Sequence, residues 1–394
     1  MKKAIVVIIV AVAVAGLVGC GSDNASPPGE ASPLRIGVIT SPTGAYAPIG
    51  QEIVELAEWV EKKINEDGGV DGRPVELFVE DDQLNPEVGT RAAERLIGKE
   101  DVSVLIGTLS SAVSLAVSAV AVQNEVVLMN TISSSPSLTG ADCNPFSFRV
   151  NKNDDMSGAV IEAWMADEPS RSWVTVGYDY EWGHTATDEF AELAKAHGDE
   201  VKAQLFTPLT TSDFASVISP IVEEQPDAVW TAMAGPGFTQ FVKQLRQFGY
   251  MGEIGGGANM TESNVAALGQ EGNGVFGVLG YNFAIDTEQN KEFVDAWNQD
   301  HPQPPSNFQG DTYAGFQAVF AAVREAGSVE GVELQEALSG LTFDSVFGET
   351  SFRPEDNQAE TPGYFGVVED GKVKVTVSVD AEKTGGEPQD SCTL

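Results

Sequence analysis

Hydroxyl side chains are concentrated in two short segments of the sequence, residues 108–111 and 131–135. An unbroken apolar run precedes each segment, at 102–106 and 126–129, and such runs are typical of strands that helices cover on both faces. Strands of this kind form parallel sheets, and the ligands of open parallel sheets bind beyond the carboxyl ends of the strands. The two hydroxyl segments therefore predict a binding site for a small polar ligand.

The connection between these strands predicts a helix whose first turn can hold a carboxylate. Residues 108–124 are rich in Ala, Val and Ser and carry no charged side chain, which favours a helix packed tightly on the sheet. The helix should begin near Ser110 and Ser111, where unpaired backbone N–H groups and the helix dipole attract an anion. Both serines are candidate ligand donors, with plain helix capping as the alternative. Ser133 and Ser134 are candidates too, although serines ahead of a proline are also ordinary turn residues.

The composition limits the classes of function that the chain can have. With 394 residues, 42% of them hydrophobic, the chain is long enough for two domains with well-buried interiors. The formal net charge is −37, and the acidic residues are spread along the sequence, which indicates a strongly solvated surface. Because nucleic-acid binding depends on basic patches, we expect neither DNA nor RNA as a partner.

The N-terminal residues have the pattern of a secretory signal. Two lysines precede an apolar run over 4–18, which is shorter than the roughly 20 residues that a membrane span needs. The run ends in Leu-Val-Gly-Cys at 17–20, which resembles the lipobox of bacterial lipoproteins, where the cysteine is acylated and becomes the new N-terminus. We therefore expect a signal peptide over 1–20, a lipid on Cys20, and an extracytoplasmic location on the membrane surface. A signal without lipidation is the alternative.

After the signal, the sequence contains a tether and one further pair of cysteines. Residues 21–33 are rich in Ser, Pro and Gly and should be disordered. In an exported protein, Cys143 and Cys392 could form a disulfide that holds the C-terminal tail. Two free thiols are equally open, because a sequence contains no distances.

Strand and helix patterns alternate from Leu34 onward, which predicts an α/β fold of two doubly wound lobes. The first series has strands at 34–40 and 75–80 and helices at 48–65 and 86–98. The later series is predicted to contain a helix at 154–166, a strand at 173–177, a helix at 185–197, a strand at 201–206, a helix at 214–224, a strand at 228–232, helices at 238–248, 289–299 and 313–326, and a hairpin of 364–368 with 373–379.

Three patterns associated with catalysis or cofactors lack the neighbouring structure or partner residues that their function requires. Residues 366–372 spell GVVEDGK, the beginning of a phosphate-binding loop, but a strand follows where a helix is required, so we interpret them as a hairpin turn. Residues 272–277 match GxGxxG, but they lead into a strand rather than out of one. A serine nucleophile would need a histidine base, for which His184 is the one candidate. We expect no enzyme activity, no metal and no cofactor.

Several stretches together resemble one family, the type I solute-binding proteins of ABC transporters, in the branched-chain amino acid subgroup. The resemblance covers residues 34 to about 379. Its carriers, in chain order, are RIGVITSPTGAYAPIGQ (35–51), INEDGGVDGRPVEL (64–77), VEDDQLNPEVGTRAAERLI (79–97), VLIGTLSSAVS (104–114), FRVNKND (148–154), YEWGH (180–184) and DTYAGFQAV (311–319). The resemblance implies two Rossmann-like lobes, joined by three crossover strands, that close on a ligand.

The resemblance also implies how the chain is divided and what it does. Lobe 1 would comprise residues 34–148 and 284–347, lobe 2 residues 149–283 and 348–380, and a C-terminal tail residues 381–394. The lobes would capture an amino acid or a related small carboxylate or amide. The protein, a monomer, would then deliver this ligand to an ABC permease in the membrane. A ligand sensor of the same fold is the first alternative, and a hydrolase that uses the cleft is the second.

The family pattern assigns the ligand carboxylate to the two hydroxyl segments. Leu109, Ser110 and Ser111 would meet it with hydroxyl and backbone N–H groups. Ser133 and Ser134 would form the second hydroxyl loop.

The pattern also assigns two aromatic residues and shows two departures. Tyr46 falls on the aromatic of the first loop, and Trp182, expected in a strand-to-helix loop, falls where a ring covers the ligand from lobe 2. Ala234 lies where relatives often have a second aromatic. Gly256, within a run of three glycines at 255–257, lies where amino-acid-binding relatives have an acidic residue for the ammonium.

The missing acidic residue leaves two interpretations of the ligand. A buried ammonium without a carboxylate is costly. Either Asp179, Glu181 or Glu262 supplies the charge, or the ligand has no amine.

Overall fold

The fold is described from a computed structural model, which covers residues 32–258 and 260–394. The expected signal peptide over 1–20, its Cys20 and the tether up to residue 31 lie outside the described residues. The described residues form twelve α-helices and fifteen strands in two α/β lobes. Among them, no helix combines the length and the apolar character needed to cross a lipid bilayer.

The helices are α1 (Ala47–Glu66), α2 (Pro86–Glu100), α3 (Ser111–Gln123), α4 (Asp154–Met165), α5 (Glu181–His197), α6 (Ala215–Glu224), α7 (Gly235–Gln247), α8 (Glu262–Leu268), α9 (Glu288–Asp300), α10 (Asn307–Ala326), α11 (Gly331–Leu338) and α12 (Ala381–Gly385). The strands are β1 (Leu34–Thr40), β2 (Val75–Asp81), β3 (Val104–Gly107), β4 (Val127–Asn130), β5 (Ser147–Arg149), β6 (Ser172–Tyr178), β7 (Glu200–Thr207), β8 (Ala228–Ala232), β9 (Glu253–Gly256), β10 (Val275–Leu279), β11 (Thr342–Ser345), β12 (Gly348–Phe352), β13 (Ala359–Glu360), β14 (Gly363–Glu369) and β15 (Lys372–Val379).

Lobe 1 is built on a parallel sheet of five strands in the order β2-β1-β3-β4-β5. Every residue of β3 and β4 is buried, because helices cover both faces of the sheet. Val113 and Val117 of α3 share a core cluster with Ala92 and Leu96 of α2. The uncharged connection between β3 and β4 is therefore the tightly packed helix that its composition predicts.

Lobe 2 is built on a sheet of seven strands in the order β15-β14-β10-β9-β8-β6-β7. The strands from β10 to β7 run parallel, and the β14–β15 hairpin extends the edge beside β10. Asp370 and Gly371 form the turn with φ angles of 51° and 72°, which suit a tight hairpin turn. The prediction that residues 366–372 form a hairpin rather than a phosphate loop is confirmed, as is the α/β fold of two doubly wound lobes.

The chain passes between the lobes three times, after β5, after β10, and between β12 and β14. A buried guanidinium holds two of these crossings together. Arg149 Nε donates to Gln358 Oε1 at 2.6 Å, and Gln358 Nε2 donates to the carbonyl of Asn151 at 2.8 Å. Burial lowers the pKa of Arg149 to about 10, so the side chain keeps its charge at neutral pH.

One expected lobe boundary falls inside a structural unit. β11 and β12 form an antiparallel hairpin in which Thr342 pairs with Ser351, and helices α9 and α10 of lobe 1 pack against it. A boundary between residues 347 and 348 cuts the turn of this hairpin. We therefore propose that the third crossing lies at 353–362, and the other boundaries stay as predicted from the sequence.

Several helices begin earlier than their sequence patterns predict, and for α5 and α10 the difference is four residues or more. α5 begins at Glu181 instead of residue 185. The N-cap residue, Tyr180, makes no side-chain capping hydrogen bond, so the sequence contains no capping signal at this start. α10 begins at Asn307 instead of residue 313. A capping box between Ser306 and Gln309 starts α10, and this is a signal that the sequence does contain.

The C-terminal tail is joined covalently to lobe 1. Cys143 and Cys392 form a disulfide, with their Cα atoms 5.6 Å apart. Arg353 adds a second attachment, because its Nη1 donates to the carbonyl of Gly385 at 2.6 Å.

We expect Gly50→Ala to destabilise the protein, because Gly50 lets the start of α1 lie directly on the loop after β1. A Cβ at residue 50 would overlap the backbone of Ser41 and Pro42. The cost should be about 1–3 kcal/mol, as for other overpacked sites, measured by urea denaturation. Gly98→Ala in α2 is the matched control, since a Cβ there meets nothing within 4 Å and should stabilise the helix by roughly 0.5–1 kcal/mol. Equal stability of the two variants would contradict the close approach.

Candidate ligand-binding site

A cavity of about 110 Å³ lies where the two lobes meet. Its wall is formed by the first turns of α1, α3, α5 and α10, the loops after β3 and β4, part of α4, and the crossing segments after β5 and β10. A buried apolar cavity of about 150 Å³ is enough to hold benzene. The site therefore has the size of a small organic molecule.

Lobe 1 contributes hydroxyl groups at the start of α3. Ser111 is buried in the cavity wall, and its Oγ accepts a hydrogen bond from the backbone N–H of Ser135 at 3.3 Å. Ser110 is the N-cap residue of α3, is buried, and does not line the cavity. Leu109 lines the wall. Ser111 is thus the residue of this segment whose hydroxyl can meet a ligand.

The second hydroxyl loop contributes Ser133 and Ser134, which both line the cavity. Ser133 Oγ donates to Asn130 Oδ1 at 2.7 Å, so its proton is engaged within lobe 1. Ser134 accepts the backbone N–H of Asp154 at 2.9 Å through its carbonyl, and its side chain hydrogen-bonds the carboxyl of Asp154. This loop therefore joins lobe 1 to the start of α4.

Aromatic side chains close the cavity across the lobe interface. The hydroxyl groups of Tyr46 in lobe 1 and Tyr180 in lobe 2 lie 3.2 Å apart, within hydrogen-bond distance. Burial raises the pKa of both phenols, so both are neutral and each can donate. The ring centroid of Trp182 lies 6.2 Å from that of Tyr180. Trp182 belongs to the first turn of α5 rather than to a loop, and it is 8% exposed.

The run of three glycines at 255–257, expected where amino-acid-binding relatives have an acidic residue, reaches the cavity wall at one of its residues. Gly256 is the last residue of β9 and is not part of the cavity wall, whereas Gly257 is. A Cβ at Gly257 would lie 3.8 Å from Trp182 Cζ2. Ala234 lines the cavity as the N-cap residue of α7. Gly256, expected to contact the ligand, therefore does not line the cavity, and its neighbour Gly257 does.

None of the three acidic residues proposed for a ligand ammonium lines the cavity. Asp179 is exposed and bonds His184 Nε2 at 2.9 Å, while Glu181 accepts a hydrogen bond from the hydroxyl of Ser135 at 3.2 Å. Glu262 is half-buried at the start of α8 and is not part of the cavity wall. His184 also lies outside the wall, where its Nε2 is 2.9 Å from Asp179 Oδ1.

Three other carboxyl groups line the cavity, and sequence reasoning missed all of them. They belong to Asp154, Glu189 and Asp311. Burial raises the pKa of each to about 7, because a charged carboxylate loses its hydration there. Asp154 accepts a hydrogen bond from Thr185 Oγ1 at 2.6 Å.

The end of the cavity at the crossing segments also contains a cation. Lys152 is buried, and its Nζ donates to the carbonyl of Pro362 at 3.3 Å and lies 5.4 Å from the ring centroid of Phe347. Burial lowers the pKa of Lys152, whereas the charge of Asp311 raises it. Asn151 and Asn307 line the same cavity.

The cavity is suited to binding a small molecule that has both polar and apolar parts. Apolar side chains of both lobes complete the wall, among them Ile49, Ile132, Ile161, Val278 and Phe308. Such a mixture of apolar surface and few polar groups is the usual composition of a ligand pocket. Within the described residues, no group of three His, Cys, Asp or Glu side chains could hold a metal ion.

Comparisons with known proteins agree with this architecture. The Leu/Ile/Val-binding protein homolog 2 of Brucella abortus (strain 2308) is 24% identical over 338 residues, which cover 84% of this chain and 88% of that protein. A solute binding protein of an ABC transporter from R. palustris, solved in complex with benzoate, is 25% identical with a TM-score of 0.83, covering 92% of this chain and 100% of that one. Another from Rhodopseudomonas palustris BisB5, in complex with 3,4-dihydroxy benzoic acid, is 26% identical with a TM-score of 0.81, covering 89% and 98%.

Residues 33–372 match the family described as periplasmic binding protein, which is most of the chain. The two lobes, the three crossings and the cavity between the lobes are the features of the type I fold in this family. The chain therefore belongs to the periplasmic binding protein family and has the type I fold of ABC-transporter solute-binding proteins.

Proposed function

We propose that this protein captures a small carboxylate with an apolar body outside the cytoplasm and delivers it to an ABC permease. The observation that carries the proposal is the cavity between the lobes, in which the start of α3 with Ser111 shares a wall with aromatic and aliphatic side chains. Backbone N–H groups at a helix start favour an anion, and the apolar wall favours a hydrocarbon or aromatic body.

The comparisons support the same ligand chemistry. One relative is named a Leu/Ile/Val-binding protein, and two structural neighbours contain benzoate or a dihydroxybenzoate. Apolar amino acids and benzoates share a carboxylate on an apolar body. Both classes are therefore included in the proposal.

Delivery to the membrane and anchoring belong to the proposal as well. Structural neighbours are solute-binding components of ABC transporters, which supports a permease as the partner. The lipobox-like residues that end at Cys20 support a lipid anchor, which would keep the protein near that permease. Binding alone is sufficient for this role, so we propose no covalent chemistry.

The function is tested by titration calorimetry with four compounds of similar size. Leucine, 4-methylpentanoate and benzoate all carry a carboxylate, whereas 3-methylbutylamine has none. We expect at least one carboxylate to bind and the amine without a carboxylate to give no heat of binding. If none of the three carboxylates binds, or if the amine alone binds, the proposed function is wrong.

We expect Ser111→Ala to weaken the binding of the carboxylate ligand by about 1 kcal/mol or more, because a hydrogen bond to a charged group is lost. The change is measured by titration calorimetry. Ser118→Ala is the matched control on the same helix, since its hydroxyl accepts a hydrogen bond from Asn144 Nδ2 at 2.7 Å and lies outside the cavity wall. An unchanged affinity in Ser111→Ala would count against the assigned role.

We expect Tyr46→Phe to weaken ligand binding by roughly 0.5–1.5 kcal/mol, because the closed state loses the hydroxyl contact with Tyr180 across the lobes. The dissociation rate from stopped-flow measurements should rise accordingly. Tyr364→Phe, on β14 and outside the cavity wall, should leave both quantities unchanged. A slower dissociation in Tyr46→Phe would show that the contact opposes closure.

A further inference from the structure

Three buried oxygen atoms on the cavity wall have no hydrogen-bond partner among the described residues. They are Asn151 Oδ1, Asn307 Oδ1 and Asp311 Oδ1. All three are acceptors, and leaving a buried acceptor unpaired costs about 1–3 kcal/mol. Such atoms in a cavity wall indicate that the ligand supplies the donors.

We propose that these three oxygens bind an ammonium group of the ligand, with Asp311 as its counter-charge. An ammonium has three N–H donors, which equals the number of unpaired acceptors, and its hydrogen bond to a carboxylate is roughly twice as strong as a neutral one. The proposal rests on the proposed function and narrows its ligand class to apolar α-amino acids. In this proposal, Asp311 on α10 of lobe 1 takes the role for which amino-acid-binding relatives were expected to use an acidic residue of lobe 2.

The placement of these side chains on two elements supports a shared site. Asn307 and Asp311 lie four residues apart in the first turns of α10, so their side chains project from one face of that helix. Asn151 lies on the first crossing segment, where its Nδ2 donates to the carbonyl of Ile132 at 2.9 Å. That bond fixes the amide so that Oδ1 is the free end.

Asp311 is better suited to the ammonium than the other two carboxyls of the cavity. Asp154 already accepts hydrogen bonds from Thr185 and Ser134, which occupy its oxygens. Glu189 is half-buried, and the nearby carboxylates of Asp155 and Glu192 disfavour its charged form. Asp311 is 6% exposed and keeps one oxygen unpaired.

Lys152 does not occupy the free oxygen of Asp311. No ion pair joins the two side chains within 4.0 Å in the described residues, and Lys152 Nζ instead donates to the carbonyl of Pro362. Its charge lowers the pKa of Asp311, which burial raises. Lys152 therefore favours the ionised carboxylate that an ammonium needs.

The test compares leucine with 4-methylpentanoate, which has the same carbon skeleton without the amine. Titration calorimetry of the wild-type protein should show a preference for leucine of roughly tenfold or more, the value of one charged hydrogen bond. Asp311→Asn should abolish most of this preference, because the amine of leucine loses its counter-charge. Asp179→Asn, the same change at an exposed carboxyl outside the cavity wall, should keep the preference.

A second variant tests the same site in case Asp311→Asn does not fold. Asn307→Ala removes one acceptor from the start of α10 without removing a charge. It should reduce the preference for leucine by a smaller factor, and the melting temperature of each variant verifies that it is folded. Loss of preference in both Asp311→Asn and Asn307→Ala supports the site.

The failing outcomes separate this inference from the proposed function. If 4-methylpentanoate or benzoate binds wild type as tightly as leucine, the ammonium site is overturned, while carboxylate capture stands. If Asp311→Asn keeps the preference, the assignment to Asp311 is overturned. If no carboxylate binds, the proposed function fails first.

Discussion

The cavity depends on one constraint, which is that polar groups taken from water by two closing lobes must find partners between those lobes. An unpaired buried polar group costs as much as several favourable contacts contribute, so closure is stable only where donors and acceptors match. The phenols of Tyr46 and Tyr180 satisfy each other across the interface, and Ser135 satisfies Glu181. The oxygens of Asn151 on the first crossing, and of Asn307 and Asp311 on α10, are wall acceptors that no described residue pairs.

The doubly wound topology explains why so many polar groups meet at this place. In each lobe the helices start at the carboxyl edge of the parallel sheet, and the two lobes turn these edges toward each other. The wall is therefore made of first helical turns, which bring unpaired N–H groups and short polar side chains. Arg149 and Gln358 hold two crossings together, so the edges keep their facing arrangement.

The sequence was sufficient for the fold and for part of the wall. Continuous apolar runs identified β3 and β4, and the hydroxyl residues that follow them identified Ser111, which does line the cavity. Asp311 was not identified, because it lies 200 residues further along and reaches the site through the second crossing of the chain. The capping box from Ser306 to Gln309 would have placed Asp311 in the first turns of α10, but no pattern in the sequence shows which cavity that turn faces.

The carboxyl groups already present in the cavity explain why glycine, and not an acidic residue, follows β9 at position 257. Asp154, Glu189 and Asp311 line one cavity, and burial is the largest cause that raises the pKa of each to about 7. A fourth carboxylate at Gly257, on the same wall, would add like-charge repulsion where hydration cannot relieve it. Gly257 instead lies beside the ring of Trp182, so this part of the lobe 2 wall is a close-packed cover without a charged group.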